Sequence, residues 1–138
     1  MKITNNLFLS IITIISLTSF QTKKDKTEAI ILAKVRALPE VKEWFVTAKK
    51  SKPALEIGKP TMERKYYSVQ VGISNMDIFR TNYRLFVDPK TYKIYYWDQL
   101  DSANSNITLQ QWRYWRTKPG FNKMHYYNKA GKLVVLGK

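Results

Sequence analysis

The chain has no cysteine. That excludes disulfides, thiolate nucleophiles and cysteine-ligated metal centres. It has a single histidine, His125, and one imidazole without thiolates is a poor basis for a transition-metal site, so no metal or cofactor is expected. No G-x-S-x-G segment is present to frame nucleophilic serine chemistry around that histidine. There is no glycine-rich phosphate loop either, which removes the common nucleotide-binding folds. Acids are scarce, with 10 Asp+Glu against 24 Lys+Arg. The longest apolar run, LFLSIITIISLTSF from Leu7 to Phe20, has fourteen residues, short of the ~20 that a spanning helix needs.

That run has a different use. A cationic start at Met1-Lys2 precedes it and Lys23-Lys24-Asp25-Lys26 follows it, the order of a secretory signal. Residues 1–20 are therefore expected to be a signal peptide, 21–27 a flexible polar lead-in, and 28–138 one domain. The expected localisation is export, to the periplasm or beyond. Ser16, Thr18 and Ser19 only partly supply the small residues of a cleavage site, and contact with a membrane is expected only through an uncleaved signal.

The formal net charge is +14. Such a surface attracts anions: an acidic protein, nucleic acid, anionic lipid or an acidic glycan. No run of like charge reaches the five or six that mark a binding tail, so nucleic acid is not the expected partner. Apolar content of 44% and aromatic content of 14% argue for a packed domain.

Helical spacing runs through Ile30, Ile31, Val35 and Leu38, with Thr27 in a capping position. Pro39 suits a first helical position. Glu40 and Glu43 suit the helix start, and Val41, Trp44, Phe45 and Ala48 form an apolar stripe. Residues 28–50 thus read as one helix kinked near Pro39 or as two short ones. Residues 51–62, with two prolines and a glycine, read as a connection. Alternation then marks strands at 63–72, 78–87 and 92–99. On the second, Phe79, Thr81, Tyr83, Leu85 and Val87 share one face. Asp88-Pro89-Lys90-Thr91 has turn chemistry. Pairing Val87 with Tyr92 across it brings Leu85 to Ile94 and Tyr83 to Tyr96, apolar against apolar. Thr108-Leu109-Gln110-Gln111 is a capping box that opens a short helix over 109–116. The segments 123–128 and 132–136 close the chain as a hairpin. The expected fold class is α+β: an N-terminal helix on an antiparallel sheet, with a short extra helix and a C-terminal hairpin.

The stretch YYSVQVG at 66–72, the run YRLFVDPKTYKIYYWD at 83–98 and the helical segment AIILAKVRALPEVKEW at 29–44 resemble small exported PepSY-like or cystatin-like domains. The likeness covers residues 28–99. That family often places glycine after the turn threonine, where this chain has Tyr92. The resemblance implies a non-catalytic exported module, sometimes linked to peptidase inhibition or protein binding, and it transfers no catalytic residue.

The candidate binding residues come from two places. The second face of the sheet is expected to carry Tyr66, Gln70, Arg80, Asn82, Arg84, Lys93, Tyr95 and Trp97, rings interleaved with cations that stack on flat groups and pair with carboxylates. The short helix adds Arg113 and Arg116 beside Trp112 and Trp115. Cross-strand aromatic–cation pairs also stabilise a sheet without a ligand, and the final hairpin competes as a cover for that face. The leading expectation is a small exported binding protein that engages an anionic partner, a protein, through Arg80, Arg84, Lys93, Tyr95, Trp97, Arg113 and Arg116. The other readings are an enzyme acting through Asp98 or Asp101, the acids without a local structural explanation, and a module for envelope glycan or lipid.

Overall fold

Proline divides the N-terminal helical segment in two. The computed structural model describes residue 23 and residues 26–137; the apolar run expected as an export signal lies outside the described residues. Helix α1 covers 26–36 and helix α2 Pro39–Thr47. Leu38 between them is extended, at φ −63° and ψ 137°, the conformation that a following proline enforces. Pro39 then starts α2 at no cost in hydrogen bonds. Thr27 does not cap. It lies inside α1, and its hydroxyl donates to the Lys23 carbonyl at 3.1 Å.

The sheet has five antiparallel strands in chain order: β1 Pro53–Gly58, β2 Tyr67–Asn75, β3 Ile78–Val87, β4 Ile94–Trp97 and β5 Asn106–Thr108. β1 corrects the expectation of an irregular connection. Its proline is the first residue of an edge strand, one of the few places in a sheet that tolerate it, and Leu55 and Ile57 alternate inward against Val71 and Val69. Helix α3, Leu109–Trp115, follows β5 directly. Thr108 caps it, with the Thr108 hydroxyl accepting from the Gln111 amide and the Gln111 side chain accepting from the Thr108 amide. The chain closes with a separate hairpin, β6 His125–Tyr127 and β7 Leu133–Val135. The fold is α+β, as expected.

The β3–β4 register differs from the expected one by two residues. Val87 pairs with Ile94 and Leu85 with Tyr96. The Asp88 carboxylate accepts from the amides of Lys90 and Thr91, and the Tyr92 amide donates back to the Asp88 carbonyl at 2.8 Å. This wider turn takes up the two extra residues and leaves Tyr92 left-handed at φ 56°. A slip of two keeps every side chain on its own face, where a slip of one would have reversed them all.

Below Tyr83 the faces do reverse. β2 and β3 pair as Val71 with Tyr83 and then Gly72 with Thr81, leaving Asn82 as an extra residue in β3. Past this bulge Arg80 pairs with Ile73, so it turns to the helix side. Thr81 and Phe79 turn away from it, the opposite of the expected faces. Gly72 is required there, since an added Cβ would lie 2.1 Å from the Arg80 carbonyl oxygen. The Gly72 carbonyl in turn accepts from the Trp44 indole at 3.0 Å, which fastens α2 to the bulge.

The core lies between the helices and the inner face of the sheet. Ile31 and Val35 of α1, Val41 of α2, and Val69, Val71, Leu85 and Val87 of the sheet have no exposed surface. Trp112 anchors α3: its ring stacks on Tyr96 with centroids 4.4 Å apart and planes 8° off parallel. Among the described residues no helix is long and apolar enough to cross a membrane.

Candidate partner-binding face

Strand alternation above the bulge turns Gln70, Arg84, Phe86, Tyr95, Trp97 and Asn106 away from the helices. Their side chains form a connected row. Arg84 lies over the Trp97 ring at 4.8 Å and donates to the Gln70 side-chain oxygen at 3.1 Å. The Thr81 hydroxyl donates to that same oxygen. Trp97 meets Phe86 edge-on at 6.3 Å. Tyr95 meets Tyr66 at 5.8 Å and carries the Lys93 ammonium over its ring at 5.3 Å.

The β1–β2 connection closes one side of the row. Thr61 and Arg64 exchange backbone hydrogen bonds, and the Arg64 guanidinium sits 6.0 Å from the Phe86 ring. A concavity of about 460 Å³ results, bordered by Arg64, Arg84, Phe86, Trp97 and Asn106 together with Glu63. One of its cations is incompletely engaged: Arg84 Nε is buried and has no hydrogen-bond partner. A buried guanidinium N–H without an acceptor is costly, and acceptors that fit its fork are carboxylates and phosphates.

The hairpin β6–β7 does not cover this face. It docks at the other side of the sheet, against the β4–β5 loop and α3. The His125 amide donates to the Leu100 carbonyl at 3.0 Å and the Ser102 amide to the His125 carbonyl at 2.8 Å. Tyr96 and Phe121 lie 6.1 Å apart, as do Trp115 and Tyr127.

The seven candidate residues do not form one site. Arg84, Lys93, Tyr95 and Trp97 share the outer face. Arg80 is exposed beyond the bulge and on the opposite side, because the extra residue at Asn82 reverses the alternation. Arg113 pairs with Glu40 of α2, its Nη2 donating at 3.2 Å and its Nε to the other carboxylate oxygen. That fork holds the Glu40 carboxyl below its usual pKa and leaves Arg113 committed to joining α3 to α2. Arg116 lies over Trp112 at 5.0 Å, also on the helix side. The sequence reading missed Arg64, which the β1–β2 connection brings against Phe86, and it did not count Phe86 of β3 among the binding residues.

Asp98 and Asp101 have structural partners. Asp98 is 1% exposed and Asp101 2%. One Asp98 oxygen accepts from the amides of Leu100 and Asp101. The other accepts from the Tyr127 hydroxyl at 2.6 Å and faces His125 Nε2 at 2.8 Å. His125 Nδ1 faces the Lys123 carbonyl at 2.7 Å, so both ring nitrogens have oxygen neighbours. Burial and the nearby carboxylate push the Tyr127 hydroxyl far above its ordinary pKa. The cluster pins the hairpin to the sheet. Among the described residues no group of three or more His, Asp or Glu side chains could hold a metal ion.

No protein family, curated protein or solved structure matches this chain.

Proposed function

We propose that this is a small exported, non-catalytic binding protein that engages the acidic surface of a partner protein through the outer face of its sheet. Four of the seven expected residues, Arg84, Lys93, Tyr95 and Trp97, lie there, joined by Arg64 and Phe86. The observation that carries the reading is Arg84: a guanidinium stacked on Trp97, its Nε buried and without an acceptor, at the edge of an open concavity. Arg and aromatic side chains in such settings are the residue types that dominate binding energy at protein interfaces. The net charge of +14 adds long-range attraction for an acidic surface. A PepSY-like or cystatin-like arrangement of helix and meander, with its association with protein binding, is consistent with the same reading and belongs to the proposal. Export rests on the residues before Gln21.

The test is affinity capture from the envelope of the native cell, followed by titration of the purified partner at low and high salt. An acidic protein whose affinity falls with salt and is lost in Arg84→Glu supports the proposal, since exposed charge is screened over ~8–10 Å at physiological ionic strength. Binding that is indifferent to salt and to Arg84→Glu refutes it. Retention of an anionic glycan or lipid in place of a protein, lost in Arg84→Glu, refutes the assigned partner class.

A further inference from the structure

A second cavity, of about 340 Å³, lies on the helix side of the sheet between α2, the β3 bulge and α3. We propose that it is a binding site for a neutral, hydroxyl-rich ligand, a sugar residue of a glycan. This is independent of the basic outer face and uses none of its residues.

The first observation is Tyr83. Its residue is 8% exposed, its ring borders the cavity, and its hydroxyl is buried without a hydrogen-bond partner. Tyr83 shares the wall of this cavity with Glu40, Glu43 and Arg116. Buried hydroxyls are almost always paired, and a ligand oxygen in the cavity would supply the missing partner.

The second is the bulge. The extra residue in β3 is Asn82, and it lines the cavity beside Tyr83. Bulges of this kind re-aim a side chain and are common beside functional sites. An amide offers both donor and acceptor to a hydroxyl.

The third is charge. Glu40 and Glu43 stand in the cavity wall, with Arg116 also in the wall and Arg113 on Glu40. Two acids disfavour an anion, and the two arginines together with a +14 chain disfavour a cation. A neutral polar ligand remains. The rest of the wall is Thr47 and three aromatic residues, Trp44, Tyr96 and Trp112. Flat apolar rings beside a few converging polar groups match the apolar face and hydroxyl rim of a sugar.

The experiment is an amide and indole NMR titration of the full chain with glucose, galactose and N-acetylglucosamine and their β-linked disaccharides, with lysine methyl ester as the cationic control. Saturable shifts at the Asn82 amide and the Trp44 or Trp112 indole are expected with at least one sugar. Tyr83→Phe removes a hydroxyl that has no protein partner, so it should fold with unchanged or higher Tm while binding that sugar about tenfold more weakly, the effect of one lost hydrogen bond. Glu43→Gln, on the exposed side of α2, gives a second reading should Tyr83→Phe fail to fold. Arg84→Glu should leave the shifts intact. The proposal is overturned if no sugar produces saturable shifts, if the shifts survive both Tyr83→Phe and Glu43→Gln, or if only lysine methyl ester saturates the site.

Discussion

The two faces of the central sheet are made by the same strands, yet they hold their side chains in opposite ways. Inward, Val69, Val71, Leu85 and Val87 are sealed under two helices with no exposed surface. Outward, Gln70, Arg84, Tyr95 and Trp97 are only half covered, and they are held by stacking and single hydrogen bonds. The inner face spends its side chains on apolar burial, at ~25 cal/mol for each Å² removed from water. The outer face buries Phe86 as well, but it keeps Arg84, Tyr95 and Trp97 partly accessible and leaves a donor on Arg84 unmatched. The difference separates what folds the chain from what is available to a partner.

The strongest way to break this contrast is Leu85→Ala. Leu85 is fully buried at the centre of the inner face, so truncation should destabilise by about 2–5 kcal/mol through lost transfer energy and a residual cavity. Urea unfolding with an unchanged m-value would measure it. A change within about 0.5 kcal/mol, the range of surface substitutions, would mean that the face assignment is wrong. Next in size is Asp98→Asn, at the edge where the hairpin docks. The carboxylate accepts from Tyr127 and faces His125 in a buried site, and an amide nitrogen turned toward the Tyr127 hydroxyl or His125 would leave a buried donor without its acceptor. About 1–3 kcal/mol is expected. Hydrogen exchange should show β6 and β7 opening before the main sheet. Uniform loss of protection across all strands would refute a local pinning role.

Much of this was legible in the chain, for physical reasons. The capping box at Thr108 and the Pro39 start are local devices that depend on residues three apart or on one ring. The helix stripes and the strands β2 to β4 are periodic signals over many residues. Three features were not legible. β1 begins with Pro53 and ends with Gly58, residues that read as loop unless the strand is known to lie at an edge. The Asn82 bulge shifts alternation by one without any marked residue except Gly72, whose necessity comes from the neighbouring strand's carbonyl. It moved Arg80, and with it one seventh of the expected site, to the other face. Nothing local reveals the partner of Arg113, a candidate binding residue, because Glu40 is 73 positions away and meets it only when α3 packs beside α2.

The Glu40–Arg113 pair gives a smaller effect with a defined sign. Glu40's folded pKa lies below its ordinary value of 4.5, chiefly because of the hydrogen bonds from Arg113. Its contribution to stability is therefore complete above the ordinary glutamate range, and it is lost as pH falls from there through the lowered folded value. Arg113 is nearly half exposed, so the effect should stay within about 1 kcal/mol. In Glu40→Gln the acid limb of the stability curve should flatten between pH 5 and the lowered value, by roughly that amount. An unchanged limb would show that the pair does not tie α3 to α2.

The smallest expected change in stability falls on the outer face, and it is the sharpest test of the contrast. Arg84→Met keeps an unbranched stem over Trp97 and deletes both the Gln70 hydrogen bond and the unmatched Nε. Losing the bond costs little, because Gln70 still accepts from Thr81, and removing a buried donor without a partner returns a similar amount. Stability should therefore stay within about 0.5 kcal/mol of the parent, while affinity for an acidic partner falls. If instead Arg84→Met unfolded the domain by more than about 1.5 kcal/mol, the guanidinium would be a structural element of the sheet. The outer face would then differ from the inner one in polarity alone, with nothing held ready for a ligand.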